Sequence, residues 1–232
     1  MSQSLHADVL GWRRKIGVVV PATNTIVEPE FHQMAPEGIT NHTNRFQLSN
    51  MSLNSDADFL RMVREIEANL DVAIDGLVPA APDHIIIGIS AESFWDGADG
   101  AAALKERLSQ RAGVPITLGS DAVRLAITTV NAQRIAVLTP YWPIADERVC
   151  QYFGQCGLDV RRIIGLKATS QSILLSRAPT RWNKHWMILM ATMSMLSSKL
   201  GRILEWPKSL QPLNNYLESQ SLPSILRCTG TH

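Results

Sequence analysis

The stretch Arg14-Lys15-Ile16-Gly17-Val18-Val19-Val20-Pro21-Ala22-Thr23 is answered later by Gln133-Arg134-Ile135-Ala136-Val137-Leu138-Thr139-Pro140-Tyr141-Trp142. Each joins a basic lead-in to a short apolar run and a proline-marked turn. An apolar run without polar alternation reads as a strand buried on both faces, the habit of parallel sheets. Ligand-binding loops leave such sheets at the carboxyl ends of the strands. Written twice, the unit predicts two matched α/β halves, each with a loop to offer to a shared cleft.

The segments between the two copies agree. Asn24 or Thr25 is placed to cap a short helix holding Val27, Phe31 and Met34, with Glu28, Pro29 and Glu30 in its first turn. A strand is expected within His42–Leu48. Asp56 to about Leu77 reads as a long amphipathic helix, with Phe59, Met62, Val63, Ile66, Leu70 and Val72-Ala73 on its buried side. A further strand, Ile85–Ile87, runs into Gly88-Ile89-Ser90-Ala91-Glu92-Ser93-Phe94-Trp95. Ala101–Arg111 is helical and ends at Gly113, Ile116–Leu118 is a short strand, and Asp121–Val130 is a helix. After the Arg134–Leu138 strand come a helix from Ile144 to Cys156, closed by Gly157 in the left-handed conformation, and a strand at Leu158–Ile164. Strict alternation of strands and helices predicts parallel sheets covered by helices. The expected division is a leader at 1–13, a first lobe at 14–115, the start of a second lobe at 116–170, and an atypical tail at 171–232.

Composition narrows the function classes. With 22 basic and 21 acidic residues the formal charge is +1, which gives no electrostatic reason to expect nucleic acid or an anionic membrane. The polar start, Met1 to Leu10, is not a secretory signal, and the longest apolar stretch, Trp186 to Leu196, is too short to span a bilayer. Three cysteines without a CxxC pair fit a reducing cytoplasm. The six histidines show no metal-binding spacing, so no metal is expected. A homo-oligomer is compatible with the sequence.

Residues 171–232 are a different kind of sequence. They hold no valine, no aspartate and only Gly201 and Gly230, yet carry three of the six tryptophans. A helical lobe of unusual composition is one reading.

The quoted segments resemble the maleate cis-trans isomerase and arylmalonate decarboxylase family of the aspartate/glutamate racemase superfamily. Gly17-Val18-Val19-Val20-Pro21-Ala22-Thr23-Asn24-Thr25, Gly88 to Gly97 and Val137-Leu138-Thr139-Pro140-Tyr141 carry the resemblance, in order, over about residues 14–170. It implies two pseudo-symmetric parallel-sheet lobes with the site between them, the second lobe incomplete here. It also implies a cofactor-independent isomerase or decarboxylase of a small mono- or dicarboxylic acid, working through an enediolate. The family's later landmarks, a strand ending in a Gly-Thr-Asn-Leu-like loop and a segment like Asn-Thr-Ala-Leu-Tyr-Trp, are missing. Both return when the tail is read from the third base of each codon. Lys199 to Trp206 then permits Val-Gly-Thr-Asn-Leu-Gly-Met, and Ser224 to His232 permits Asn-Thr-Ala-Leu-Tyr-Trp-His-Ala. The expectation is a one-nucleotide shift near Ser170–Gln171.

The resemblance also implies site residues. Thr23 and Asn24 stand where the family binds a substrate carboxylate; a helix cap is the alternative for Asn24. Ser90 matches a threonine of the family's oxyanion cradle, whereas Ala91 replaces a serine. Ser93 is a second hydroxyl on that loop, and Tyr141 matches a tyrosine that donates to the same carboxylate. A reactive cysteine of the family is replaced by Ile89, which can act neither as nucleophile nor as acid. Glu92 is a candidate general acid or base, with a solvated loop charge as its alternative. A non-catalytic carboxylate binder and a plain α/β domain with a helical interaction tail remain the competing functions.

Overall fold

The computed structural model describes residues 8–49, 51–129 and 131–170. The expected tail, and with it the frame-shift reading, lies outside the described residues. Six strands and five α-helices alternate among them. Strands are β1 (Arg14–Pro21), β2 (Ile39–Phe46), β3 (His84–Ile87), β4 (Ile116–Thr117), β5 (Arg134–Thr139) and β6 (Asp159–Gly165). Helices are α1 (Val27–Met34), α2 (Asp56–Asp75), α3 (Gly97–Ala112), α4 (Gly119–Thr129) and α5 (Pro143–Gln155). The first sheet has the order β2-β1-β3-β4 and the second pairs β5 with β6. Every pairing within them is parallel.

β1 is central because its sequence suits no other place. Val18, Val19 and Val20 are fully buried, and each contributes about 1.5–3 kcal/mol relative to exposure. β3 lies against it in the register Val19↔Ile87. The chain must then leave β3 tightly: Gly88 donates its N–H to the Val19 carbonyl at 2.7 Å. A Cβ at Gly88 would sit 2.8 Å from Val20 Cγ1 and 3.0 Å from the Val19 oxygen. Only glycine brings the β3 exit this close to β1.

α2 covers this sheet. Ser55 caps it by accepting the Asp58 N–H, and Asp58 accepts in return from Ser55 Oγ and from the Asn54 N–H. Phe59, Met62, Val63, Ile66, Leu70, Ala73 and Ile74 form its buried stripe. Val72, expected on that stripe, is 69% exposed; the helical period puts Ile74 inward instead.

β4 hydrogen-bonds to β3, so a strand beyond residue 115 joins the first sheet. One further expectation is corrected. β5 was expected to be buried on both faces. Among the described residues it is buried on one: Ile135, Val137 and Thr139 are inside, while Ala136 and Leu138 are only partly covered.

Candidate functional site

Three strand ends converge at one edge. The loop after β3 carries Ile89 and Ser90 and continues into a 3-10 turn at Glu92–Phe94. Its neighbour after β1 is the Pro21–Thr25 turn, held to it by the β1–β3 pairing. From the other sheet, the loop after β5 reaches across: Tyr141 Oη and Ser90 Oγ are 2.5 Å apart, either able to donate. This is the point where two halves of the sequence touch through the hydroxyls singled out for chemistry.

Tyr141 is buried, packed edge-on against Phe59 with ring centroids 5.4 Å apart. Burial pushes its phenol far above the ordinary range, partly opposed by the Ser90 hydrogen bond. It is therefore a neutral hydrogen-bond donor. Glu92 is equally buried, and neither carboxylate oxygen has a partner among the described residues. Desolvation pushes its carboxyl up to about 8, and the charge of Glu67 on α2 adds to the rise. The solvated-charge alternative for Glu92 is thus overturned: this is a protonated acid at neutral pH, next in sequence but one to Ser90.

Ser93 has a different job. It is fully buried, donates to the Ser90 carbonyl at 2.8 Å and accepts the Ser120 N–H at 3.3 Å. It braces the loop that carries Ser90. Asn24 is buried too, and its Oδ1 accepts the N–H groups of Ile26 and Val27, both at 2.9 Å. The capping role is therefore realised, but it uses only the oxygen; Nδ2 has no partner among the described residues. Thr23 Oγ1 is a buried hydroxyl without a partner among them as well. A buried unpaired hydroxyl is costly, and a bound carboxylate would satisfy it. Ile89, where the resemblance would place a thiol, is apolar and packs against the core.

Sequence reading missed two residues of this neighbourhood. Thr139 and Asp146 are both buried, and Thr139 Oγ1 donates to Asp146 Oδ1 at 2.5 Å. Asp146 lies in the first turn of α5, where an acid passes as a helix-dipole partner. The only signal in the sequence was a threonine ending an otherwise apolar strand.

The arylmalonate decarboxylase family model matches residues 16–177. The chain belongs to that family. No curated protein matches the sequence. Among solved structures, a variant of the Pseudomonas putida S16 maleate isomerase with maleate is similar at 22% identity and a TM-score of 0.59, covering 69% of this chain and 66% of its own. A Nocardia farcinica maleate cis-trans isomerase mutant with a covalently bound succinylcysteine intermediate matches at 20% identity and a TM-score of 0.60, with 68% and 66% coverage. A liganded double mutant of arylmalonate decarboxylase matches at 19% identity and a TM-score of 0.51, with 68% and 63% coverage. These likenesses show the fold: the parallel sheets of this chain are those of the family. The chain spans about two thirds of the length of these structures. Among the described residues no helix is long and apolar enough to cross a membrane, and no cluster of three metal-ligating side chains is found.

Proposed function

We propose that this chain derives from a cofactor-independent enzyme that acts on a small carboxylic acid through an enediolate. The Ser90–Tyr141 contact carries the reading, because it joins two protonated hydroxyls from separate lobes beside a protonated carboxyl. Loss of carbon dioxide or of an α-proton leaves electrons on the neighbouring carboxylate, whose two oxygens then carry the charge. Ser90 and Tyr141 are donors for that charge. Thr23 and the free Nδ2 of Asn24 hold the remaining oxygens. Glu92 delivers the proton that the α-carbon needs, and a pKa of about 8 suits that transfer.

Ile89 favours one of the family's reactions over another. Rotation about a carbon–carbon double bond needs a nucleophile that adds to it first, as the succinylcysteine in the Nocardia farcinica structure illustrates. Isoleucine cannot add. Proton transfer and decarboxylation need only donors and an acid, so an arylmalonate-type acid fits better than maleate. The same Ile89 favours a second reading, a binder of small carboxylates without turnover. Incubation with phenylmalonate and with maleate, followed by proton NMR, separates them. Formation of phenylacetate supports the enzyme. Saturable binding of either acid with no product in any variant restored in frame supports the binder, and conversion of maleate to fumarate overturns the argument from Ile89.

We also infer that residues from about 171 onward are read out of frame, which would leave this chain impaired. The support is the ordered return of two family segments in the neighbouring frame. The nucleotide sequence across codons 168–173 tests it: an unbroken frame, verified from independent DNA, ends the idea. A cytoplasmic location and a homo-oligomeric state belong to the same proposal.

A further inference from the structure

We propose that Asp146 is a positioning residue that acts through Thr139 to hold Tyr141 against Ser90. The inference rests on the reading of Tyr141 given above and concerns how its hydroxyl is kept in place.

The geometry is a short relay. Asp146 Oδ1 accepts from Thr139 Oγ1 at 2.5 Å, and the same Thr139 oxygen accepts the Tyr141 N–H at 3.2 Å. Thr139 is fully buried and Asp146 is 3% exposed. The Tyr141 N–H is thus a buried donor whose partner is a side chain, because the chain has left β5 and its neighbour β6 offers nothing at that point. On the other side, the Tyr141 carbonyl accepts the Lys167 N–H at 3.0 Å. With its backbone held at both ends, the ring runs past Phe59 to Ser90.

Asp146 is not serving its own helix. The oxygen that could cap α5 is spent on Thr139, and the N–H groups of Ala145 and Asp146 go to the Trp142 carbonyl. Its other oxygen is pressed against the end of β6: a Cβ at Gly165 would lie 2.0 Å from Asp146 Oδ2. A glycine is required there to admit the carboxyl. A buried carboxyl that caps nothing and displaces a side chain from the adjacent strand is costly, and steering Tyr141 is the role its contacts describe.

The full chain, labelled with carbon-13 at tyrosine Cζ, tests this by NMR titration. Its three tyrosines are Tyr141, Tyr152 and Tyr216, and Tyr141→Phe assigns the signal. In the parent protein Tyr141 should stay un-ionised at about pH 11, well above the ordinary tyrosine midpoint near 10. Thr139→Val removes the bridge without changing charge, and Asp146→Ala removes its anchor. Both should let the ring swing out to water, and the lost desolvation, the largest cause of the rise, should outweigh the lost Ser90 bond and bring the Tyr141 midpoint down toward 10; the double variant should do no more than either. Thr139→Ser and Asp146→Asn keep the bridging atoms and should leave the midpoint high. If Asp146→Ala does not fold, the Thr139→Val and Thr139→Ser pair decides alone. An unmoved Tyr141 signal in Thr139→Val overturns the proposal. So does a fall in Asp146→Asn as large as in Asp146→Ala, which would make charge rather than position the cause. Should phenylmalonate and maleate leave Tyr141 undisturbed while these shifts hold, the brace stands and the enzyme reading fails.

Discussion

The loops after β1 and β5 start from matching sequence and are held by opposite means. The first is local. Asn24 donates its N–H to the Pro21 carbonyl at 2.9 Å, and its side chain oxygen receives the N–H groups of Ile26 and of Val27, the first residue of α1. Arg45 on the adjacent strand adds a hydrogen bond to the Asn24 carbonyl at 2.5 Å. The second loop is fixed from far along the chain. The N–H groups of Leu166, Lys167 and Ala168 donate in turn to the carbonyls of Thr139, Tyr141 and Pro140 at 2.9, 3.0 and 3.0 Å. That strap is itself tied to the first lobe, where Leu53 N–H meets the Thr169 carbonyl and Ser52 bridges Ser170. A loop beside a four-stranded sheet borrows rigidity from the sheet; a loop beside two strands is given it by a strap and by Asp146. The difference locates the molecule's sensitivity in the second loop.

The largest effect should follow from removing the donors where the loops meet. On the reading proposed above, in which turnover requires the family's frame to be restored, Ser90→Ala and Tyr141→Phe should each lower turnover of phenylmalonate by about 10²- to 10³-fold, near 2.7–4 kcal/mol. The double variant should fall well short of the product, because the two hydroxyls serve one charge. Initial rates decide it; a wild-type rate in either single variant removes these residues from the chemistry.

Glu92 gives the next effect, and its sign is fixed. A carboxyl raised from 4.5 to about 8 binds a proton in the folded state that the unfolded state releases. Its contribution is fully present below about pH 4.5 and is lost as pH rises through 8. The slope is at most about 1.4 kcal/mol per pH unit. Asp146, pushed by burial up to about 7, tilts stability the same way. Urea unfolding at intervals from pH 5 to 8 should show stability falling, and Glu92→Gln should flatten much of that fall. An unchanged slope in the variant would mean that Glu92 is not the buried acid described.

Gly165→Ala should cost about 1–3 kcal/mol, since the new methyl must displace the Asp146 carboxyl. The equivalent change at Gly154, where a Cβ meets nothing within 4 Å, is the control. Equal melting temperatures for the two variants would show that β6 does not press on Asp146.

Much of this was legible in the sequence, for physical reasons that differ by residue. The uninterrupted valines of β1 announced a strand buried on both faces, and Gly113 and Gly157 stand at helix ends with positive φ. Ser90 and Tyr141 were singled out because a resemblance named them and both stand at strand ends. Their 2.5 Å contact was not readable: it depends on where the second sheet sits against the first. Glu92 could be taken for a solvated charge because a loop acid is usually exposed; its burial comes with α2, α3 and α5 packing around the 3-10 turn. β5 misled for the same kind of reason, since Ala136 and Leu138 carry no mark of how far a neighbour covers them. Asp146 was invisible, as its partner Thr139 lies on another element and its register follows from the β5 turn.

The smallest expected effect gives the sharpest test of the comparison. Asn24 holds the first loop with its oxygen, and its nitrogen, without a partner among the described residues, is the atom proposed to meet substrate. Asn24→Asp keeps an acceptor for Ile26 and Val27 but has no donor, and it places a negative charge near the incoming carboxylate. Asn24→Ala has neither function. Loss of the cap should cost Asn24→Ala about 1 kcal/mol of stability, whereas Asn24→Asp should melt close to the parent. Binding of phenylmalonate, followed by calorimetry, should weaken in both, and more in Asn24→Asp because of repulsion. If Asn24→Asp binds as the parent does, the nitrogen takes no part in recognition, and the first loop is a cap alone. The site would then rest on the second loop and the Ser90 turn.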